Sequence, residues 1–175
     1  MMSMSNAQNL NYGIIGNCKS AALIDKNASI DWCCLPRFDS PSIFAKILDT
    51  EKGGGFGIYP KEKFKVKQNY LDESCILITR FENKSSSFEI IDFMPRFQNE
   101  KGEYFAPPEI IRFVKPIKGN TRIKFEYDPK LEYAQGETSH QVKKNVIVSE
   151  VNHPKHDSLF LYTNLPQGQL INQEY

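Results

Sequence analysis

Ser29–Phe44, SIDWCCLPRFDSPSIF, gathers the chain's single tryptophan, an adjacent cysteine pair, two prolines and an arginine flanked by aspartates into sixteen residues. Ile30–Leu35 is a short apolar run that reads as a buried strand carrying one polar group, Asp31, at its edge. Pro36 cannot donate to a ladder and ends it. Arg37, Phe38 and Asp39 then make a tight connection. Ser40 followed by Pro41 is a helix-start signal, with the hydroxyl as N-cap and proline at N1. The helix expected next places Ile43, Phe44, Ile47 and Leu48 on one face and ends at Gly53–Gly55, where helix is costly. A strand thus feeds a loop that feeds a helix, with an arginine and an aspartate at the junction.

Working outward, the rest reads as β-structure. Residues 1–11 form a polar leader expected to be disordered. YGIIG from Tyr12 and Ala21–Ile24 are strands, and Asp25–Ala28 is a turn leading into the Ile30 strand. Downstream, FGIYP is a short strand ended by Pro60. Lys63–Tyr70 sets Phe64 and Val66 against Lys63, Lys65 and Lys67, a strand with one wet face. Ser74–Phe81 and Phe88–Phe93 are apolar runs joined by ENKSSS, and they could be covered on both faces. Gln98–Pro108 reads as a loop. Ile110–Ile117 and Arg122–Tyr127 follow, joined at Lys118–Asn120. An irregular link through Pro129, Tyr133, Gly136 and His140 leads to strands at Asn145–Val151 and Ser158–Thr163. About ten strands against one short helix define an all-β chain, an antiparallel β-sandwich over residues 12–175. The closing QGQLINQEY looks like the start of an unfinished strand, so the domain is expected to be incomplete there, and an unfinished sheet edge invites self-association.

Composition narrows the function classes. The 175 residues are 40% hydrophobic and 25% charged, with a formal charge of +1, which is globular and lacks the basic excess of a nucleic-acid footprint. No secretory leader and no run of about 18 apolar residues is present, so the chain is expected to be soluble and cytoplasmic, with no membrane partner. The cysteines at 18, 33, 34 and 75 have no metal-ligand spacing and read as reduced, partly buried thiols.

Several groups of side chains could carry chemistry. Glycoside hydrolysis needs two carboxyl groups about 5–5.5 Å or about 6.5–9.5 Å apart. Asp25, Asp31, Asp39, Asp49 and Asp92 are available, but turn, cap and edge roles account for them, and no catalytic residue is assigned. His153 and His156 flank Pro154 and Lys155, which favours a solvated loop over a metal site. GGGFG at 53–57 lacks the Lys-Ser/Thr ending and the following helix of a phosphate cradle, and reads as a bend. No nucleophile elbow is found. No metal and no cofactor is expected. Arg37 is the most informative single residue. It could hold a carboxylate or sugar hydroxyls through several hydrogen bonds, or it could lock its own loop by pairing with Asp31 or Asp39.

The block from Tyr12 to Pro60, YGIIGNCKSAALIDKNASIDWCCLPRFDSPSIFAKILDTEKGGGFGIYP, resembles the opening of the bacterial and archaeal branch of glycoside hydrolase family 15, the glucoamylase, glucodextranase and trehalase-like proteins. The likeness continues through IIDFMPRF at 90–97 and EIIRFVKPIKGNTRIKFEYDPKLEYA at 109–134. The resemblance implies a supersandwich-like N-terminal domain whose partner is a C-terminal (α/α)6 catalytic barrel, the barrel holding the two catalytic glutamates and hydrolysing α-glucosides with inversion. No segment here can be that barrel, so the chain alone is expected to be inactive, buttressing the barrel. The loop of Arg37, Phe38 and Asp39, after Pro36, is the substrate-binding candidate, placed to line the barrel's sugar pocket. Two alternatives stay open: a free-standing carbohydrate-binding module with Trp32, Phe38 and tyrosines as its platform, and an inactive product of a shortened reading frame.

Overall fold

Asp25 folds the first three strands onto one another. Its Oδ1 accepts the backbone N–H groups of Asn27 (2.8 Å) and Ser29 (2.7 Å), and its carbonyl accepts that of Ala28 (3.0 Å), the side-chain mimicry of a turn that aspartate favours. A computed structural model of the protein describes residues 11–143, 146–151 and 158–165. In it β1 (Tyr12–Gly16), β2 (Ala21–Asp25) and β3 (Ser29–Cys34) form consecutive antiparallel pairs. β3 continues to β4 (Ser42–Phe44) and β5 (Gly55–Pro60), and β5 to β12 (Ile123–Asp128), giving a six-stranded sheet of order β1-β2-β3-β5-β12 with β4 on β3.

A second sheet has the order β11-β8-β7-β6, built from β6 (Lys65–Tyr70), β7 (Leu77–Glu82), β8 (Ser87–Phe93) and β11 (Ile111–Lys118). β9 (Phe97–Gln98) and β10 (Tyr104–Phe105) form a small hairpin, and β13 (Thr138–Lys143), β14 (Val146–Val151) and β15 (Leu159–Tyr162) a third sheet. Every pairing among the described residues is antiparallel. The fold is the expected all-β sandwich.

Period-two alternation decides which side chains fill it. Leu77, Thr79 and Phe81 of β7, and Phe88, Ile90 and Asp92 of β8, point inward and are buried. Ile15, Ile24, Ile30 and Phe44 of the first sheet share one apolar cluster with Leu77 and Met94. Ala28 and Ile58 share another with Phe81, Phe88 and Ile90, where the Phe81 and Phe88 rings stack at 4.7 Å. Each of the buried Ile, Leu, Met and Phe side chains contributes about 1.5–3 kcal/mol by leaving water. Tyr70 closes the edge: its hydroxyl accepts the Ile14 N–H (2.7 Å) and donates to the Ile14 carbonyl (2.9 Å), joining β6 to β1.

The structure corrects several expectations. The helix after Ser40–Pro41 is absent. Ser42–Phe44 is strand β4, paired with Cys33 and Cys34, and its neighbours spend their backbone groups on distant chain. The Ile43 carbonyl accepts from Lys130 (2.9 Å), and Ala45 and Lys46 donate to the Gly53 (2.8 Å) and Gly54 (3.1 Å) carbonyls. Ile43 and Phe44 are buried as expected, but Leu48 is 74% exposed. Asp31 lies inside the sheet, 6% exposed, rather than at an edge. Gln98–Pro108 contributes most of the β9–β10 hairpin, and the irregular link before Asn145 contains β13. Ile110–Ile117 and Arg122–Tyr127 are not sheet neighbours: β11 pairs β8 while β12 pairs β5. Residues 1–10 of the expected leader, His153, His156 and the QGQLINQEY ending lie outside the described residues.

Candidate functional site

The loop that carries Arg37 starts where β3 ends, at a cis Leu35–Pro36 peptide. Three hydrogen bonds fix it. The Phe38 N–H donates to the Lys19 carbonyl (3.0 Å), the Arg37 N–H to Ser40 Oγ (3.1 Å), and the Ser40 N–H back to the Arg37 carbonyl (3.1 Å). The Ser40 hydroxyl that reads as a helix cap therefore closes the loop behind it. Arg37 Nε and Nη2 donate to the two oxygens of Asp39 at 2.9 and 2.7 Å, a fork-on-fork geometry that only arginine offers. The bonds from Arg37 hold the Asp39 carboxyl below the ordinary carboxylate range. Both side chains stand about two-thirds exposed, at 67% and 69%, and Phe38 is 62% exposed between them. Asp39 occupies two of the five guanidinium donors. The loop thus presents an aromatic face beside an oriented cation, a combination suited to stacking on and hydrogen-bonding to a polyhydroxyl ligand.

The turn between β1 and β2 supports this loop and a second aromatic group. Buried Asn17 accepts the N–H groups of Lys19 and Ser20 (both 3.1 Å) on Oδ1 and donates to the Pro107 carbonyl (2.8 Å), while Ser20 Oγ donates to the Cys34 carbonyl. Phe38 and the chain leaving β10 are therefore tied to the same four-residue turn. On the β9–β10 hairpin Phe97 and Phe105 stack at 5.8 Å, and the Arg96 guanidinium lies 4.3 Å from the centre of the Tyr104 ring. All three aromatics are exposed. Sequence reading missed this hairpin; the available signal was three aromatics in an otherwise polar stretch.

The aspartates weighed as catalytic candidates all carry structural bonds. Asp25 folds the β2–β3 turn, Asp39 holds Arg37, and Asp49 accepts the Glu51 and Lys52 N–H groups, both at 2.9 Å. Asp92 is paired with Arg112. Asp31 accepts from Tyr12 Oη (3.0 Å) and Ser29 Oγ (2.5 Å). Burial, with Asp25 nearby, pushes its carboxyl up, and burial beside Asp31 pushes the Tyr12 phenol to about 12. Next to this group a polar cavity of about 200 Å³ is lined by Ser29, Lys46, Tyr59 and Glu126, below the roughly 300–1,000 Å³ usual for ligand pockets. Among the described residues no helix is long and apolar enough to cross a membrane.

An all-β domain with Asp25, Asp31, Asp39, Asp49 and Asp92 committed to structure, and with an arginine–aromatic loop at one end, is the class that fold and site define. Residues 5–164 match the family model described as trehalase-like, N-terminal, and the chain belongs to that family. It is 36% identical over 127 residues to a trehalase of Thermoplasma volcanium, covering 71% of this chain and 20% of that protein. To a trehalase of Thermoplasma acidophilum it is 39% identical over 115 residues, 64% of this chain and 19% of the relative. Trehalase 2 of Sulfolobus acidocaldarius is 46% identical over 86 residues, 49% of this chain and 14% of that protein. The chain thus spans a fifth or less of the length of these relatives. No solved structure matches it.

Proposed function

We propose that this chain, as one β-sandwich domain over 12–175, serves as the noncatalytic N-terminal domain of a family 15 glycoside hydrolase of trehalase type. Its partner would be a C-terminal (α/α)6 barrel that cleaves α-glucosides with inversion, and it would work in the cytoplasm without a cofactor. The observation that carries the reading is the family match over residues 5–164 together with relatives named trehalase of which the chain spans about a fifth. The commitment of Asp25, Asp31, Asp39, Asp49 and Asp92 to structural bonds supports a supporting role over a catalytic one, and the four free cysteines suit a reducing compartment.

In this reading Arg37, Phe38 and Asp39 form one wall of the barrel's sugar pocket. The bidentate Asp39 contact pre-orients the guanidinium, so that little side-chain freedom is lost when a sugar arrives. The test is a protein in which this chain replaces the matching N-terminal segment of the Thermoplasma volcanium trehalase. The joined protein should hydrolyse trehalose, the 175-residue chain alone should not, and Arg37→Ala should lower turnover without moving the melting temperature. Unchanged kinetics in the Arg37→Ala protein would remove the loop from the site.

The exposed Phe38, Phe97, Tyr104 and Phe105 favour one second reading, a free-standing carbohydrate-binding module. Calorimetric titration of the isolated chain with trehalose and maltooligosaccharides separates the two, since saturable binding by the chain alone supports the module.

A further inference from the structure

An antiparallel sheet with one face in water normally alternates apolar-in and polar-out. The four-stranded sheet breaks this rule on its outer face. Inward positions of β7 and β8 are filled by Leu77, Thr79, Phe81, Phe88, Ile90 and Asp92, yet the outward positions at one end are apolar too. In register, Phe113 of β11 lies opposite Ile91 of β8, Ile91 opposite Ile78 of β7, and Ile111 opposite Phe93. These five side chains form one patch across three strands. Phe113 is 55% and Ile111 38% exposed. The next outward row is charged, Lys67, Arg80, Glu89 and Lys115 in register, and within it Arg80 reaches Glu89 at 3.1 Å, and Glu82 beyond it at 3.5 Å. The charged half of the face is suited to water. Across the apolar half Phe113 and Ile111 are exposed, and Ile78, Ile91 and Phe93 between them are half-buried.

We propose that this apolar half is the seat of the polypeptide that follows the N-terminal domain in the longer trehalases, an inference that rests on the function proposed above. The two Thermoplasma relatives keep about four-fifths of their length outside the matched region, so a large continuous neighbour is the occupant their architecture supplies. The chemistry agrees. A patch of Phe and Ile with a charged row along one side fits the apolar centre and polar rim of a permanent interface. The same contact explains why Ile78, Ile91 and Phe93 stand at outward positions of β7 and β8, where a sheet with one wet face would carry polar residues.

Covalent footprinting with mass spectrometry tests it, comparing the isolated chain with the protein in which it replaces the N-terminal segment of the Thermoplasma volcanium trehalase. If the joined protein hydrolyses trehalose and Phe113, Ile111 and Ile91 lose most of their labelling, the seat is established. Hydrolysis with these residues labelled as in the isolated chain overturns the seat and leaves the function intact. Absence of both hydrolysis and protection counts against the function, and the seat falls with it. Sedimentation of the isolated chain at twice 20.1 kDa, with the same residues already protected, overturns the proposal in favour of a second copy. A Phe113→Lys, Ile91→Lys chain should keep its melting temperature when isolated and lower that of the joined protein.

Discussion

The Arg112 guanidinium meets the Asp92 carboxylate inside the sandwich, Nε to Oδ1 at 2.8 Å and Nη2 to Oδ2 at 3.2 Å, with side chains 4% and 0% exposed. The two residues sit opposite each other on β11 and β8. The remaining guanidinium donors cross to the other sheet: Nη1 to the Phe56 carbonyl (2.5 Å) and Nη2 to the Ala28 carbonyl (2.6 Å), with the Phe56 ring 4.7 Å away. One side chain thus fixes how the two sheets stack.

Removing one partner of a buried, fully bonded pair leaves the other charged and unpaired, at a cost of about 3–5 kcal/mol. Arg112→Ala is therefore expected to destabilise the chain by that amount in urea unfolding, since it strands Asp92 and two carbonyls. Arg112→Met with Asp92→Leu should recover part of the loss, because no unpaired carboxylate is left. A loss below about 1 kcal/mol for Arg112→Ala, the scale of an exposed pair, would show that the pair does not join the sheets.

Asp31 makes stability depend on pH. Burial, first, and the Asp25 charge raise its pKa above 3.8, against the hydrogen bonds from Ser29 and Tyr12 and the Lys46 charge, which lower it. A carboxyl whose folded pKa is raised contributes stability that is fully present below its unfolded pKa and is lost as pH rises through the folded value. Asp31→Asn cannot ionise. The unfolding free energy of Asp31→Asn minus that of the native chain should accordingly increase from about pH 3.5 to pH 7. Urea melts across that range check it, and a difference that is flat or falls with pH would contradict the assignment.

How much of this was legible in the sequence follows from the range of the forces involved. Strands at Tyr12–Gly16, Ser29–Cys34 and Leu77–Phe93 came through because alternation and turn residues are local. The Asp25–Ala28 turn likewise needs only its own side chain. The pairing of strands did not. Lys118-Gly119-Asn120 has the chemistry of a hairpin turn, and Gly119 does adopt φ +66°, but the chain changes sheets there, a choice made by packing between residues far apart in sequence. The Arg37 loop was legible as a place where an arginine, an aromatic and an aspartate converge, and the structure shows the Arg37–Asp39 pair. The aromatic hairpin was hidden because two-residue strands carry almost no periodic signal.

The thiols divide into two classes. Cys18 and Cys75 are exposed, Cys33 and Cys34 buried, and all four are free. Burial pushes the Cys33 thiol to about 12 and raises Cys34, so neither supplies thiolate at neutral pH. Titration with a disulfide reagent should count two fast thiols in the native chain and four in denaturant. A third fast thiol in the native chain would show that the β3–β4 pairing opens readily.

The segment after Ser40 offers the sharpest contrast between a helix and what the fold adopts. A helix from Pro41 would set Phe44 and Leu48 on one buried face, and truncating either would open a cavity. In the structure Phe44 is 2% exposed on β4, its ring 6.5 Å from Phe56 and 6.4 Å from Tyr127, while Leu48 is 74% exposed beyond it. Phe44→Ala is expected to cost about 3–5 kcal/mol, whereas Leu48→Ala should fall within about 0.5 kcal/mol of the native chain, as exposed sites do. If Leu48→Ala and Phe44→Ala destabilise equally in urea, the helical arrangement is the right one and β4 is not formed in solution.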